Sequence, residues 1–556
     1  MRKVILILLC TTAVLLAGYV GYRGYKVWKQ KHLVTMARGF ITKSDGKNAL
    51  LCLQEALTSN PRNLDASRLM AEILEEARSS AAVLWRSRIV EENPKSLDDR
   101  LALARTALTM RDYSVASNAL EGVDAVGKRS AVYHNVAGAV SVAANQPVQA
   151  ETHFLEAIRL EPQNPVPQLN LAVVRLHGTN EAEMTEARAT LNRLCVNQTN
   201  ASLHCDALRE LVMDAIRFKE NDRALALSRE LVQQTNSSFR DRLLRLDVLR
   251  VSGNAEFKSA LAGFQRDAAA DPAKIDEMAT WQMTRTGPAD AMTWMQTLPM
   301  KTQTNPPVAQ LLAGCQIALQ DWRRLQLSLE KQNWGELELM RHAFLARALR
   351  GQDLADSSKA EWELALKVAG SQKPPLAMLL RLASQWKWQS EGEEILWTIV
   401  NHYPNERWAV QALSQALFVG GRTRSLMSLY NQQVKAYPSD LAAKNNLAMT
   451  ALLLEALELK PHELAREVYE KAPTNASFAS TYAFSLHVQK KDAEALKVMR
   501  QLRPEELENQ SVAGYYGLIL KATGDNARAR VYLDRAAKGP LLGEEKKLFE
   551  KARAGV

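Results

Sequence analysis

The chain has few cysteines and histidines, and neither set is arranged for chemistry. Its five cysteines are Cys10, Cys52, Cys195, Cys205 and Cys315. No Cys-x-x-Cys pair occurs, so a structural zinc of that type has no ligands. The nine histidines are scattered, and none pairs at i, i+4 around a Glu in the metalloprotease manner. A Gly-x-Ser-x-Gly elbow is missing. Alternating Val/Ile/Thr runs and Asn-Gly turns are missing too, which argues against strands. No long Gly/Ser-rich stretch marks a linker. Without a metal set or a nucleophile beside a base, no active site can be assembled. The reading is therefore a protein that is not an enzyme, with no cofactor and no metal.

One motif approaches a nucleotide site. Gly122-Val123-Asp124-Ala125-Val126-Gly127-Lys128-Arg129 is close to G-x-x-x-x-G-K-[ST], but Arg129 stands where magnesium needs a hydroxyl. Ala116 and Leu120 place the segment at the end of a helical hairpin, so a turn is expected. The net charge of +10 suggests nucleic acid only at first sight. Residues 1–50 hold nine Lys/Arg against one Asp, and the other 506 residues hold 62 basic against 60 acidic side chains. The excess is a cluster at the N-terminus, not a stripe that could track a phosphate backbone, so no nucleic-acid partner is expected. Elsewhere acidic and basic residues alternate on presumed helix exteriors, the ordinary solvated face.

What the chain does have is a repeat. Ala49, Leu53, Ala56 and Pro61 recur as Ala150, Phe154, Ala157 and Pro162, and again as Ala260, Phe264 and Pro272 with Asp267 in the third slot. Ala483 leads to Ala495, Met499 and Leu502, and Gly517 leads to Ala529, Leu533 and Ala536. Each unit of about 34 residues reads as helix, turn, helix. A small residue in the first helix faces one twelve positions later, where the helices approach most closely. A Leu, Phe or Trp four residues on fills the groove between them. A Pro then stops the second helix, because its ring cannot continue the hydrogen-bond ladder.

These residues resemble the tetratricopeptide repeat, whose first helix often reads aromatic-x-Asn-Leu-Gly/Ala. Tyr133-His134-Asn135-Val136-Ala137, Asn170-Leu171-Ala172 and Asn446-Leu447-Ala448 carry the likeness. Lys444-Asn445-Asn446 and Pro473-Thr474-Asn475 also look like membrane-anchored bacterial repeat proteins of unknown function. The resemblance implies an all-α fold, an α-solenoid wound as a right-handed superhelix of about fifteen hairpins. The expected layout is a tail at 1–3, an anchor at 4–22, a basic segment at 23–32, an array at 33–274, worn repeats at 275–345, a second array at 346–540 and a capping helix and tail at 541–556. In the worn region Trp281, Trp294, Trp322 and Trp334 replace smaller residues.

Val4 to Tyr22 carries no charge, and nineteen residues at about 1.5 Å rise match the apolar thickness of a bilayer. Tyr19, Tyr22, Tyr25 and Trp28 suit the lipid boundary, and Arg23, Lys26, Lys29 and Lys31 suit headgroups. A cleaved signal is the competing reading, but no small-x-small site follows Ala17. Cations flank both ends, so the topology cues conflict. The expectation is a single-pass membrane protein with its repeats exported, periplasmic in a bacterium, with the cytoplasmic face left open.

The resemblance places Asn135, Asn170 and Asn446 in the groove that binds other proteins, where an amide can donate to and accept from a peptide backbone. Bonding within or between hairpins is the alternative. Cys195 and Cys205 bracket a turn between hairpins and are candidates for a disulfide. The functional expectation is a membrane-tethered scaffold for other proteins, serving assembly of an envelope, secretion or polysaccharide-export complex. Two alternatives stand beside it: a glycan-binding or enzyme-associated subunit using the four middle tryptophans, and a secreted adaptor with its leader removed.

Overall fold

The computed structural model describes residues 25–26, 28–43, 45–196 and 200–555. The tail at 1–3, the expected membrane span at 4–22, and Tyr22 and Arg23 lie outside the described residues. Among the described residues all regular structure is helical, and no helix is long and apolar enough to cross a membrane.

The helix boundaries follow from two local devices. Between hairpins, a proline comes just after one helix and a capping residue two positions later starts the next. Pro61 and Asn63, Pro94 and Ser96, Pro162 and Asn164, Pro438 and Asp440, and Pro473 and Asn475 all do this. Each cap accepts a hydrogen bond from a backbone N–H of the first turn, as Asn63 Oδ1 does from Ala66 at 3.1 Å. Within hairpins, one residue in the left-handed region reverses the chain. Arg111, Asn145, Lys219, Lys387 and Lys490 fill this position at φ of 61°, 58°, 59°, 60° and 65°.

The twelve-residue spacing is a contact. A Cβ on Gly517 would lie 3.0 Å from Ala529 O and 2.9 Å from Leu533 Cγ. One on Gly138, opposite Ala150, would lie 2.5 Å from the Phe154 ring. Ser358 Oγ donates across the same gap to Ala346 O at 2.8 Å. The large residue four positions on is buried each time: Leu53, Phe154, Trp362 and Leu533. Each such burial contributes about 1.5–3 kcal/mol.

The third copy departs from the pattern. Ala260 and Phe264 are only half-buried, and Pro272 opens the helix Pro272–Arg285. Proline is favoured there because the first N–H of a helix has no intrahelical partner to lose. The worn region has short second helices, Pro288–Met295 and Trp322–Leu329. Trp281, Trp294 and Trp334 are buried and occupy volume that longer helices would fill, whereas Trp322 is half-buried under the Arg347 guanidinium, 5.0 Å from its ring. Three of the four tryptophans are thus core, which removes them from a sugar-stacking surface.

The chain divides into two compact units, one ending at Trp281 and one beginning at Gln282. The first opens with a helix over 28–41 whose Leu33, Val34 and Ala37 share a core with Leu53, Ala56 and Met70. Residues 25–26 and 28–32, expected as part of a basic segment, are helical. In the second unit, a core from Ala309 to Leu429 also takes in Leu542. The segment after 541, expected to shield the end of the stack, forms helix Gly543–Ala554 on the last hairpin and reaches back to Thr423, whose hydroxyl donates to Glu544.

Several acidic residues are not on a solvated face. Asp99, Asp214 and Asp241 are buried, each gripped by an arginine of another helix: Arg68, Arg188 and Arg209. Asp99 accepts from Arg68 Nε and Nη2 at 3.0 and 2.8 Å, tying the first helices of successive hairpins together. Burial pushes the Asp99 carboxyl up, but Arg68, Ser96 and Asn93 outweigh it and hold it below the ordinary value. The sequence signal is an Asp three residues after the cap, in Ser96-x-x-Asp99 and Ser238-x-x-Asp241.

Candidate functional site

Each unit carries a large cleft to which its first helices contribute. In the second unit a cleft of about 970 Å³ runs between the helices Arg407–Val419, Thr423–Ala436 and Leu441–Leu453. Arg407, Gln411 and Gln415 stand one turn apart on the first of these and line one wall. Tyr430 and Gln433 form the floor, and Asn446 and the cap residue Asp440 the other wall. Ser414 and the Tyr430 hydroxyl bond at 2.5 Å, and burial pushes the Tyr430 phenol up. Gln433 is buried, and its Nε2 has no hydrogen-bond partner. A buried donor without an acceptor costs about 1–3 kcal/mol.

The composition decides what such a cleft can hold. Asn405, Gln411, Gln415, Gln433 and Asn446 all line it, against one arginine and one aspartate. Amides donate and accept in equal measure. The surface is therefore matched to a chain of alternating N–H and C=O groups, and not to a strongly charged ligand.

In the first unit a cleft of about 850 Å³ is more apolar, with Val142, Phe154, Leu169 and Val173 facing Asn170, His177, Asp206, Arg209 and Glu210. Burial pushes the Glu210 carboxyl up, opposed by His177. Asn170 Nδ2 donates to Asn135 Oδ1 at 2.9 Å, so these two amides bond to each other across successive first helices. Asn170 lines the cleft and Asn135 does not. Asn446 accepts from Asn445 Nδ2 at 3.4 Å while lining its own cleft. The structure thus separates the three asparagines expected to act alike. The residues missed at the sequence level are Gln411, Gln415 and Gln433; the first two were signalled by the polar stripe Arg407, Gln411 and Gln415 at four-residue spacing on one helix, whereas Gln433 comes from the next helix and had no such signal.

Cys195 lies in helix Glu181–Val196 and Cys205 in helix Ala201–Arg217. Both are free thiols in one apolar cluster with Leu208 and Leu231. Burial pushes the Cys195 thiol up to about 11 and raises that of Cys205. Near the N-terminus Trp28 is exposed and stacks on Tyr25 and His32, with ring centroids 6.1 and 5.2 Å apart. Lys29 pairs with Glu55 at 2.7 Å, Lys26 is half-buried and Lys31 is exposed. Among the described residues no three His, Cys, Asp or Glu side chains converge as a metal set.

Small residues twelve apart in contact, a Leu or Phe in the groove four positions later, and Pro-x-cap junctions are now all in place. The hairpins have the geometry that the resemblance to the tetratricopeptide repeat implies. The sequence matches no family model and no curated protein. Among solved structures, the chain is similar to a tetratricopeptide repeat protein from Parabacteroides merdae, at 12% identity over 48% of this chain and 98% of that one, with a TM-score of 0.37. It is also similar to PilF of Pseudomonas aeruginosa, at 17% identity over 40% and 97%, with a TM-score of 0.30. A third similarity is to Naa15/Naa10 bound to HypK-THB, at 14% identity over 95% and 79%, with a TM-score of 0.29.

Proposed function

We propose that the chain is a non-catalytic scaffold that captures an extended segment of another protein in the amide-lined cleft of its second unit. The observation that carries this reading is the gathering of Gln411, Gln415, Gln433 and Asn446 around one opening, with Gln433 Nε2 left without an acceptor. An incoming backbone pairs with the exposed amides of Gln411 and Gln415 and with half-buried Asn446, and Gln433 joins them by turning its amide into the cleft. The charge-free run Val4–Tyr22 and the cations after it support attachment of the scaffold to a membrane as a single-pass anchor, with the repeats exported. Assembly of an envelope complex is the process that fits such a tethered binder.

The test is affinity capture from native membranes with the full chain and with a Gln411→Ala/Gln433→Leu/Asn446→Ala variant. Loss of at least ten-fold in one specific co-purifying protein, with thermal unfolding retained, supports the reading. Unchanged capture of every partner by the folded variant removes the cleft from the function.

A further inference from the structure

The helix Gly543–Ala554 is held by a short apolar face and by its N-cap Leu542, which is buried in the core of the second unit. Only Phe549 and Ala552 are buried along it, and Lys546, Lys547, Glu550 and Lys551 surround them. Phe549 enters a socket made by the absence of a side chain: a Cβ on Gly514 would lie 2.4 Å from Phe549 Cε2. The ring meets Tyr515 edge-on at 5.1 Å, Tyr515 meets Phe484 at 4.8 Å, and Leu452 and Leu518 complete the same cluster. These residues come from the first helices of three successive hairpins, Leu441–Leu453, Ala476–Val488 and Gln510–Ala522, which pack side by side.

The polar contacts are those of a docked helix. Tyr515 Oη donates to Glu545 at 2.5 Å, Thr423 donates to Glu544, and Lys521 Nζ donates to Ala552 O at 2.6 Å near the helix C-terminus. A cation at that end satisfies terminal carbonyls and the helix dipole. Arg553 pairs with Asp534 at 2.6 Å. A cleft of about 310 Å³ remains between this helix and Leu533–Ala537, so the fit is incomplete. Withdrawal would return hydroxyl, ammonium and carboxylate groups to water, leaving none of them buried and unpaired. It would also uncover Leu452, Phe484, Tyr515 and Leu518 as a contiguous apolar surface, which calls for a replacement occupant.

We propose that these three first helices form a groove for an amphipathic helix, with the chain's own C-terminal helix as its resident. The partner is a helix of another protein with the same face: a carboxylate, an aromatic four residues later and a small residue three beyond that, as in Glu545, Phe549 and Ala552. It binds by displacing the resident. This rests on the scaffold reading in treating the chain as a protein binder, but it concerns a different surface and a helical ligand.

The test uses the full chain and a fluorescein-labelled peptide of residues 540–555. Phe549→Ala vacates the socket, and the variant is expected to bind the peptide at least ten-fold more tightly than the unaltered chain. Adding Gly514→Leu fills the socket and is expected to abolish that gain. Hydrogen exchange in the unaltered chain is expected to be faster at 543–554 than at 510–522, and faster still with excess peptide. Equal peptide affinity in the Phe549→Ala variant overturns the proposal. So does exchange at 543–554 in step with 510–522, or loss of protection at 510–536 in the variant, because each makes the helix an integral part of the stack. Peptide binding by the Gln411→Ala/Gln433→Leu/Asn446→Ala variant reads the groove separately from the cleft.

Discussion

Asp241 is 1% exposed and ionised because Arg209 meets both of its oxygens and Ser238 adds a backbone and a hydroxyl donor. Removing one partner of such a pair strands the other, so Asp241→Ala is expected to cost about 2–3 kcal/mol, with Asp206 keeping part of the Arg209 interaction. Urea unfolding of the full chain followed at the first unit checks this. A second residue-level device is the imidazole pair His134 and His153, with Nδ1 atoms 3.0 Å apart between the helices of one hairpin. Burial lowers both; His134 feels Glu156 in opposition and Arg159 in support, His153 feels His134, and Tyr133 faces both rings. With folded values below the unfolded one, the unfolded chain binds more protons in that interval. Stability is therefore present above about pH 6.5 and lost as pH falls below it. The melting temperature should drop more between pH 7.5 and 5.5 in the unaltered chain than in His153→Gln; equal drops would remove the pair from the acid response. Neither pairing was legible in the sequence: Ser238-x-x-Asp241 marks the aspartate as part of a cap, but nothing marks Arg209 as its partner. Alternating charges look solvated until a fold brings residues some thirty positions apart together, as with Arg209 and Asp241, and a lone histidine shows nothing of its partner.

At the scale of elements, the hairpin was legible because its closest approach is short in sequence. Gly517 and Ala529 are twelve apart, so steric exclusion writes itself as a local pattern. The pattern failed at Ala260 and Phe264, where small and aromatic residues sit at the right spacing but remain half-buried. It failed again for the cleft, whose amides come from three helices. Two element-level predictions follow from turn and contact geometry. Lys219 holds a left-handed conformation that costs an L-residue about 1–2 kcal/mol relative to glycine, less what glycine gives back in unfolded-state entropy. Lys219→Gly should therefore stabilise the first unit by about 0.5–1 kcal/mol in chemical denaturation. Gly517→Val should do the reverse, destabilising by about 1–3 kcal/mol, because its Cβ would press on a backbone carbonyl that only a helix shift can relieve.

At the scale of the whole molecule, contacts run mainly between neighbouring helices, so stability is expected to be distributed in nearest-neighbour fashion and not as one cooperative block. Trp362→Ala should lower exchange protection in the helices Glu338–Arg350 to Gln389–His402 while leaving Leu64–Glu76 to Pro165–Leu176 unchanged. Uniform loss across both regions would contradict that view. The Trp-rich middle, offered by the sequence only as an alternative binding surface, has three indoles in the core and Trp322 half-buried; which side of an indole faces water depends on helix lengths that periodicity does not report.

Two shielded sulfurs, half-buried Cys195 and buried Cys315, give the native molecule a clock. Burial pushes the thiols of Cys195 and Cys315 up to about 11, so little of either is the nucleophilic anion near neutral pH. Maleimide labelling at these two positions, resolved by peptide mass, will thus time the breathing of each unit separately, one sulfur per half of the chain, without any engineered probe.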